Sequence, residues 1–184
     1  QGVPFRFSSY MHIFYDGSFF GLLNPFAVLC GLVSVAMLVM HGATWLQLKT
    51  QGPVADRVRR YGSVAAIATV VLYALAGYAM WRWVDGYQVT SVQPVDGPSN
   101  PMLKTAVVQQ GAWFANYAAR PWLWAAPALG FAGALVALLG LQLRREVLAV
   151  LSSAVSIAGI ILSVGASMFP FILPSSIDPR ASLT

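Results

Sequence analysis

Two histidines, one cysteine and six acidic residues are nearly all that this 184-residue chain offers to acid–base, redox or metal chemistry. His41, in MLVMHGATW, is the sole ionisable group well inside an apolar stretch. An imidazole there can ligate a haem iron or relay protons, although a place two turns from the end of the stretch favours an interfacial histidine hydrogen-bonded to a neighbour. His12 and Asp16, in YMHIFYDGSFF, stand among aromatics before that stretch. A carboxylate beside an imidazole can hold a proton near neutral pH, but Asp16-Gly17 reads more simply as a turn. Cys30 lies on an apolar helix face and reads as packing. Trp81-Arg82-Trp83 offers rings for stacking on a quinone or a haem edge, and equally the aromatic belt and snorkelling arginine of a membrane boundary, which is the preferred reading. Met168, beside Phe169 and Phe171, reads as core rather than as an axial iron ligand. Arg144-Arg145-Glu146 reads as a topology determinant. No residue of the chain is therefore assigned a catalytic, cofactor-binding or metal-ligating role.

The elements that carry these residues belong to lipid. Hydrophobic residues make up 58% of the chain and charged residues 9%, against about a quarter charged in soluble domains. Mean hydropathy is +0.67. A soluble enzyme is excluded on that composition. The single cysteine excludes an intrachain disulfide and a cysteine-based metal cluster. A formal charge of +5 does not point to nucleic acid, because the cations sit in short runs between apolar stretches rather than on one solvated face.

Four stretches are long enough to cross a hydrocarbon core of about 30 Å, which needs roughly 20 helical residues. They run about 24–48, 61–84, 121–143 and 147–169, with an outer loop over 85–120. Asn24 and Pro25 form a natural helix start. Pro127, one turn inside the third span, predicts a bend there or a carbonyl left free for other use. Small residues recurring along the fourth (Ala154, Ala158, Gly159, Gly165, Ala166) predict close backbone approach. In the outer loop, Trp113, Phe114 and Tyr117 fall on helical spacing, so Met102 to Tyr117 is expected as an amphipathic interfacial segment. The predicted fold class is all-α, a single integral membrane helical bundle of four transmembrane helices.

Cations set its direction, because short cytoplasmic loops collect Lys and Arg. Residues 49–60 and 144–146 hold six cations in 15 residues, whereas the opposite side holds five in 69. Both tight loops are expected in the cytoplasm, and loop 85–120 in the periplasm. The opening QGVPFRFSSY has no Met, basic segment or cleavage site, and reads as the interior of a longer membrane subunit rather than a signal peptide.

Three collinear stretches carry a resemblance: GLLNPFAVLCGLVSVAMLVMHGATWLQLKT (Gly21 to Thr50), GAWFANYAARPWLWAAPALGF (Gly111 to Phe131) and ASMFPFILPSSIDPRASLT (Ala166 to Thr184). Together they resemble subunit II of the bacterial cytochrome bd quinol oxidases, including the cyanide-insensitive branch, over essentially the whole chain. The resemblance implies an eight-span subunit of which this chain is similar to spans four to seven, in the bacterial cytoplasmic (inner) membrane. It also implies a complex that oxidises quinol and reduces dioxygen to water in aerobic respiration. The partner, subunit I, would carry haems b and d, and this chain would bind none directly. A heterodimer, small accessory subunits, lipid, and a quinone held structurally in the bundle are further implications. The competing reading is a secondary transporter or channel segment with Pro127 or Pro170 as helix breaks. Neither paired half-spans nor polar groups at mid-depth accompany those prolines.

Overall fold

Asn24 Oδ1 accepts a hydrogen bond from the Ala27 amide at 2.9 Å, and Pro25 takes the first helical position, so the first long helix begins where cap and proline both favour it. The computed structural model describes residues 2–8, 10, 12–92, 102 and 104–184. Among them the helices are α1 (Pro25–Lys49), α2 (Pro53–Arg82), α3 (Ala115–Ala119), α4 (Ala125–Gln142) and α5 (Glu146–Met168). Four helical stretches are long and apolar enough to span a bilayer: Pro25–Lys49, Pro53–Arg82, Pro121–Gln142 and Glu146–Met168. The second starts at Pro53 rather than near Tyr61, because its charged first two turns are helical as well. Hydropathy marks the part of a helix that lipid can hold, whereas the proline at N1 marks where it starts.

Pro127 lies in the first turn of α4, after a 3-10 turn over Pro121–Trp124, where a missing amide hydrogen breaks no intrahelical bond. The outer segment also differs from expectation. β3 (Asp85–Val92) and β4 (Lys104–Gln110) pair antiparallel, with Tyr87 opposite Val108 and Val89 opposite Ala106. Only Ala115–Ala119, after a 3-10 turn at Ala112–Phe114, is helical there. The threonine and paired valines of KTAVVQQ favour a strand, and strand pairing overrides the helical spacing of the aromatics. The Pro- and Gly-rich tip that the sequence marks, residues 93–101, lies outside the described residues.

The chain forms two compact units. The first comprises Gln1–Ala27, Tyr78–Ala119 and Ala166–Thr184. It holds β1 (Phe5–Phe7) and β2 (Ile13–Tyr15), paired antiparallel, together with the β3/β4 hairpin. Its core is Val84, Tyr87, Trp113 and Phe171, with Phe26, Met80 and Met168 packed against them. The segment after α5 is tied to β1: the Val3 amide donates to Pro174 O at 2.8 Å, and Ser175 Oγ donates to Phe5 O at 2.6 Å.

The second unit, Val28–Gly77 and Arg120–Gly165, is the helical bundle. Met40, Ala65, Ala66, Ala134 and Ala137 form its interior, while large aliphatic side chains such as Leu38, Val64, Leu151 and Leu162 point outward. Small residues inside and large ones outside is the order that suits lipid, where close backbone approach rather than water exclusion drives helix association. Gly133 and Gly159 show how close the approach is. A Cβ on Gly133 would lie 2.5 Å from the Ser156 amide nitrogen, and one on Gly159 would meet the Gly130 nitrogen and Ala126 O. α4 and α5 therefore touch backbone to backbone.

Candidate functional site

The polar side chains of the bundle gather on one face of α5. Ser152, Ser153, Ser156 and Ser163 are all buried, and a buried hydroxyl in an apolar environment needs a partner. Ser156 Oγ donates to Gly130 O across the α4/α5 contact at 2.7 Å. Ser163 Oγ meets Tyr73 Oη of α2 at 2.6 Å. Ser153 Oγ meets two α1 side chains, His41 Nδ1 at 2.8 Å and Thr44 Oγ1 at 3.0 Å. The neighbour expected for His41 is thus a serine 112 residues further along the chain. Beyond Thr44 on the same buried face, Gln47 is 4% exposed, and its Oε1 is fully buried without a hydrogen-bond partner among the described residues.

The other residues singled out in the sequence are dispersed. Asp16 pairs with Arg6, Oδ2 to Nε 2.7 Å, closing the β1/β2 hairpin, and not with His12. The His12 backbone exchanges hydrogen bonds with Ser8. Cys30 is a half-buried free thiol on α1, and Met168 packs against the aromatic cluster of the first unit. Trp81 and Trp83 are exposed on either side of Arg82, each against the Tyr78 ring at 6.1 and 5.7 Å. Arg144 sits in the tight turn between α4 and α5 with φ 56°, and its guanidinium lies 3.6 Å from Asp56 at the start of α2. That ion pair brings the two cation-rich turns, after α1 and after α4, to the same end of the bundle. Among the described residues no group of three His, Cys, Asp or Glu side chains can hold a metal ion.

Sequence reasoning passed over a second set of groups in the first unit. Asn116 Nδ2 donates to Ala166 O at 2.9 Å and Phe169 O at 2.6 Å, satisfying carbonyls at the end of α5. Trp113 Nε1 donates to Asp85 O at 3.0 Å, and Tyr117 Oη meets Ser167 Oγ at 3.3 Å. GAWFANY and ASMFPF, two of the stretches that carried the resemblance, thus meet side by side, and their first task is to hold each other. Burial of the Tyr87 phenol raises its pKa above the ordinary value; the Gly2 amide opposes this, and the Asp85 carboxylate adds to it. Burial of Lys104, with no charge partner among the described residues, lowers its ammonium pKa.

The family model for cytochrome bd terminal oxidase subunit II matches residues 1–184. The probable cytochrome oxidase subunit 2 of Haemophilus influenzae is 46% identical over 184 residues, all of this chain and 48% of that protein. The cytochrome bd-I ubiquinol oxidase subunit 2 of Escherichia coli K12 is 44% identical over the same span, again all of this chain and 48% of that protein. The chain spans about half the length of the curated relatives it matches. With four apolar helices of spanning length and a family match from end to end, the chain belongs to the cytochrome bd terminal oxidase subunit II family and is an integral protein of the bacterial inner membrane.

Proposed function

We propose that the protein to which this chain belongs is the haem-free half of a cytochrome bd-type terminal oxidase, a quinol:oxygen oxidoreductase in which it supports a haem-bearing subunit I. The end-to-end family match, at 44% identity to a relative named as a ubiquinol oxidase subunit, carries this reading. The resemblance assigns haems b and d to the partner, and in this reading no electron-transfer step falls to this chain. In this reading the chain's own work is mechanical. The α4/α5 backbone contact stiffens the bundle and the Asn116 clamp the first unit, and the large aliphatic side chains on the bundle's outside meet lipid, the partner and any small accessory subunits. Their apolar faces are also compatible with a quinone held structurally. The single domain expected from the sequence is retained as a reading of its role: one bundle anchoring one partner. Loops 49–60 and 144–146 face the cytoplasm and 85–120 the periplasm, on the asymmetry of Lys and Arg.

The test is genetic and respiratory. Membranes from cells lacking this subunit are expected to lose quinol-driven oxygen uptake through this oxidase and to regain it with the full-length protein. Uptake unchanged by its loss, or solute movement in vesicles holding this protein alone, contradicts the proposal.

A further inference from the structure

A groove of about 640 Å³ opens on the bundle at the end that bears the cation-rich turns, between α2 and the last residue of α4. Its α2 wall follows one helix face, because positions 56, 59, 60, 63, 64 and 67 are spaced by three and four. Gln142 lines it from α4. Toward the turns the wall is polar and rich in donors. Asp56 is the one carboxylate there, and its Oδ1 is shared by Arg59 at 3.2 Å and Arg144 at 3.6 Å. Among the described residues Arg60 has no ion pair, and neither the Ser63 hydroxyl nor the Gln142 amide has a hydrogen bond. Over residues 49–60 and 144–146 as a whole, six cations stand against two carboxylates.

Away from the turns the wall becomes apolar. Val64 and Ile67 line the groove, and Val71 and Leu75 continue the same stripe of α2, all four half exposed or more. From Val64 to Leu75 the stripe runs about 16 Å along the helix, the depth of one leaflet of a hydrocarbon core about 30 Å thick. A free anion answers only the first half of this surface, and a hydrocarbon chain only the second. A ligand with a phosphodiester at one end and acyl chains at the other answers both, and basic pockets beside transmembrane helices suit such headgroups. An anionic headgroup fits better than a zwitterionic one. A choline or ethanolamine ammonium needs a carboxylate, and Asp56 is already shared by two arginines.

We propose that this groove binds one anionic phospholipid, its phosphate held by Arg59, Arg60 and Ser63 and an acyl chain laid along Val64, Ile67, Val71 and Leu75. The proposal rests on the placement of α2 in a membrane and not on the oxidase role, so failure of either leaves the other standing.

The experiment uses the full-length protein in its complex, delipidated in detergent and titrated with phosphatidylglycerol carrying a photoreactive acyl chain, with crosslinks on the α2 peptide quantified by mass spectrometry. Saturable crosslinking to residues 64–75 is expected. Arg60→Gln should weaken it about fivefold, whereas Arg57→Gln, which removes a neighbouring cation outside the groove, should leave it unchanged. Ile67→Trp, which fills the apolar half and keeps every charge, should weaken it as well, and it stands in for Arg60→Gln should that variant fail to assemble. Unlabelled phosphatidylglycerol should compete, and phosphatidylcholine and inorganic phosphate should not. An α2 without crosslinks, as when another part of the complex covers the groove, would overturn the site. So would an equal loss in Arg57→Gln, which marks general surface charge, or equal competition by phosphatidylcholine or by inorganic phosphate, which marks an unselective lipid contact or a site for a free anion.

Discussion

Asn116 answers two carbonyls with one side-chain amide, and Asn116→Ala leaves both without that donor. The loss is expected to cost about 1–3 kcal/mol, read as a lower melting temperature of the purified full-length protein, while Asn116→Gln recovers only part of it. Two buried titratable groups in the same unit respond to pH in opposite senses. Tyr87 is raised, so its stabilising contribution is complete below the unfolded phenol value and is lost as pH climbs through the folded one. Tyr87→Phe should flatten the alkaline fall in melting temperature. Lys104 is lowered, so the folded state carries a cost at neutral pH that eases as pH rises toward the ordinary lysine range. Lys104→Met should therefore raise the melting temperature at pH 7, with the gain shrinking under alkaline conditions; a loss of stability at pH 7 would refute this account of Lys104. None of the three residues stood out in the sequence. A lone Asn, Tyr or Lys in a polar loop looks like any other until the fold returns another segment to meet it.

At the scale of elements, the long helices were the most legible part of the chain, because lipid demands about 20 apolar residues in a row and leaves few alternatives. Asn24-Pro25 marked the start of α1 correctly; of the small residues named on α5, Gly159 lies in the close contact with α4, whereas Ala154, Ala158 and Gly165 are exposed. The β3/β4 hairpin was not legible, since aromatic spacing at Trp113, Phe114 and Tyr117 suggested helix while the deciding factor was strand pairing over residues 85–110. The place of Pro127 was not legible either, because a proline's effect depends on its distance from the helix start, which hydropathy does not reveal. The α4/α5 contact is the element most sensitive to volume. Gly159→Val is expected to cost about 3 kcal/mol or more and to abolish assembly, because the added atoms would meet backbone. Gly42→Ala, which adds a Cβ into open space, should be tolerated. Arg144 holds φ 56°, a conformation that glycine adopts freely, and its ion pair with Asp56 is exposed. Arg144→Gly should therefore leave stability unchanged or raise it by about 1 kcal/mol in a thermal melt.

For the whole molecule, the family was legible because three separated stretches stood in order, and the comparisons bear that reading out over the full 184 residues. The site inside the bundle was only half legible. His41 drew notice as the one ionisable group in an apolar run, but its partner Ser153 belongs to another helix, and the orphaned Gln47 oxygen becomes visible only once α1 is packed. An interior of small residues, its polar side chains paired apart from the Gln47 oxygen, is compatible with the proposed task of supporting a neighbour. That task is the central claim, and purification of the full-length protein from native membranes through an affinity tag on this subunit tests it most directly. The reduced-minus-oxidised visible spectrum of the product should show b- and d-type haem bands that vanish when the haem-bearing partner is stripped away. A colourless, haem-free product, or bands that stay with this subunit alone, would contradict the account.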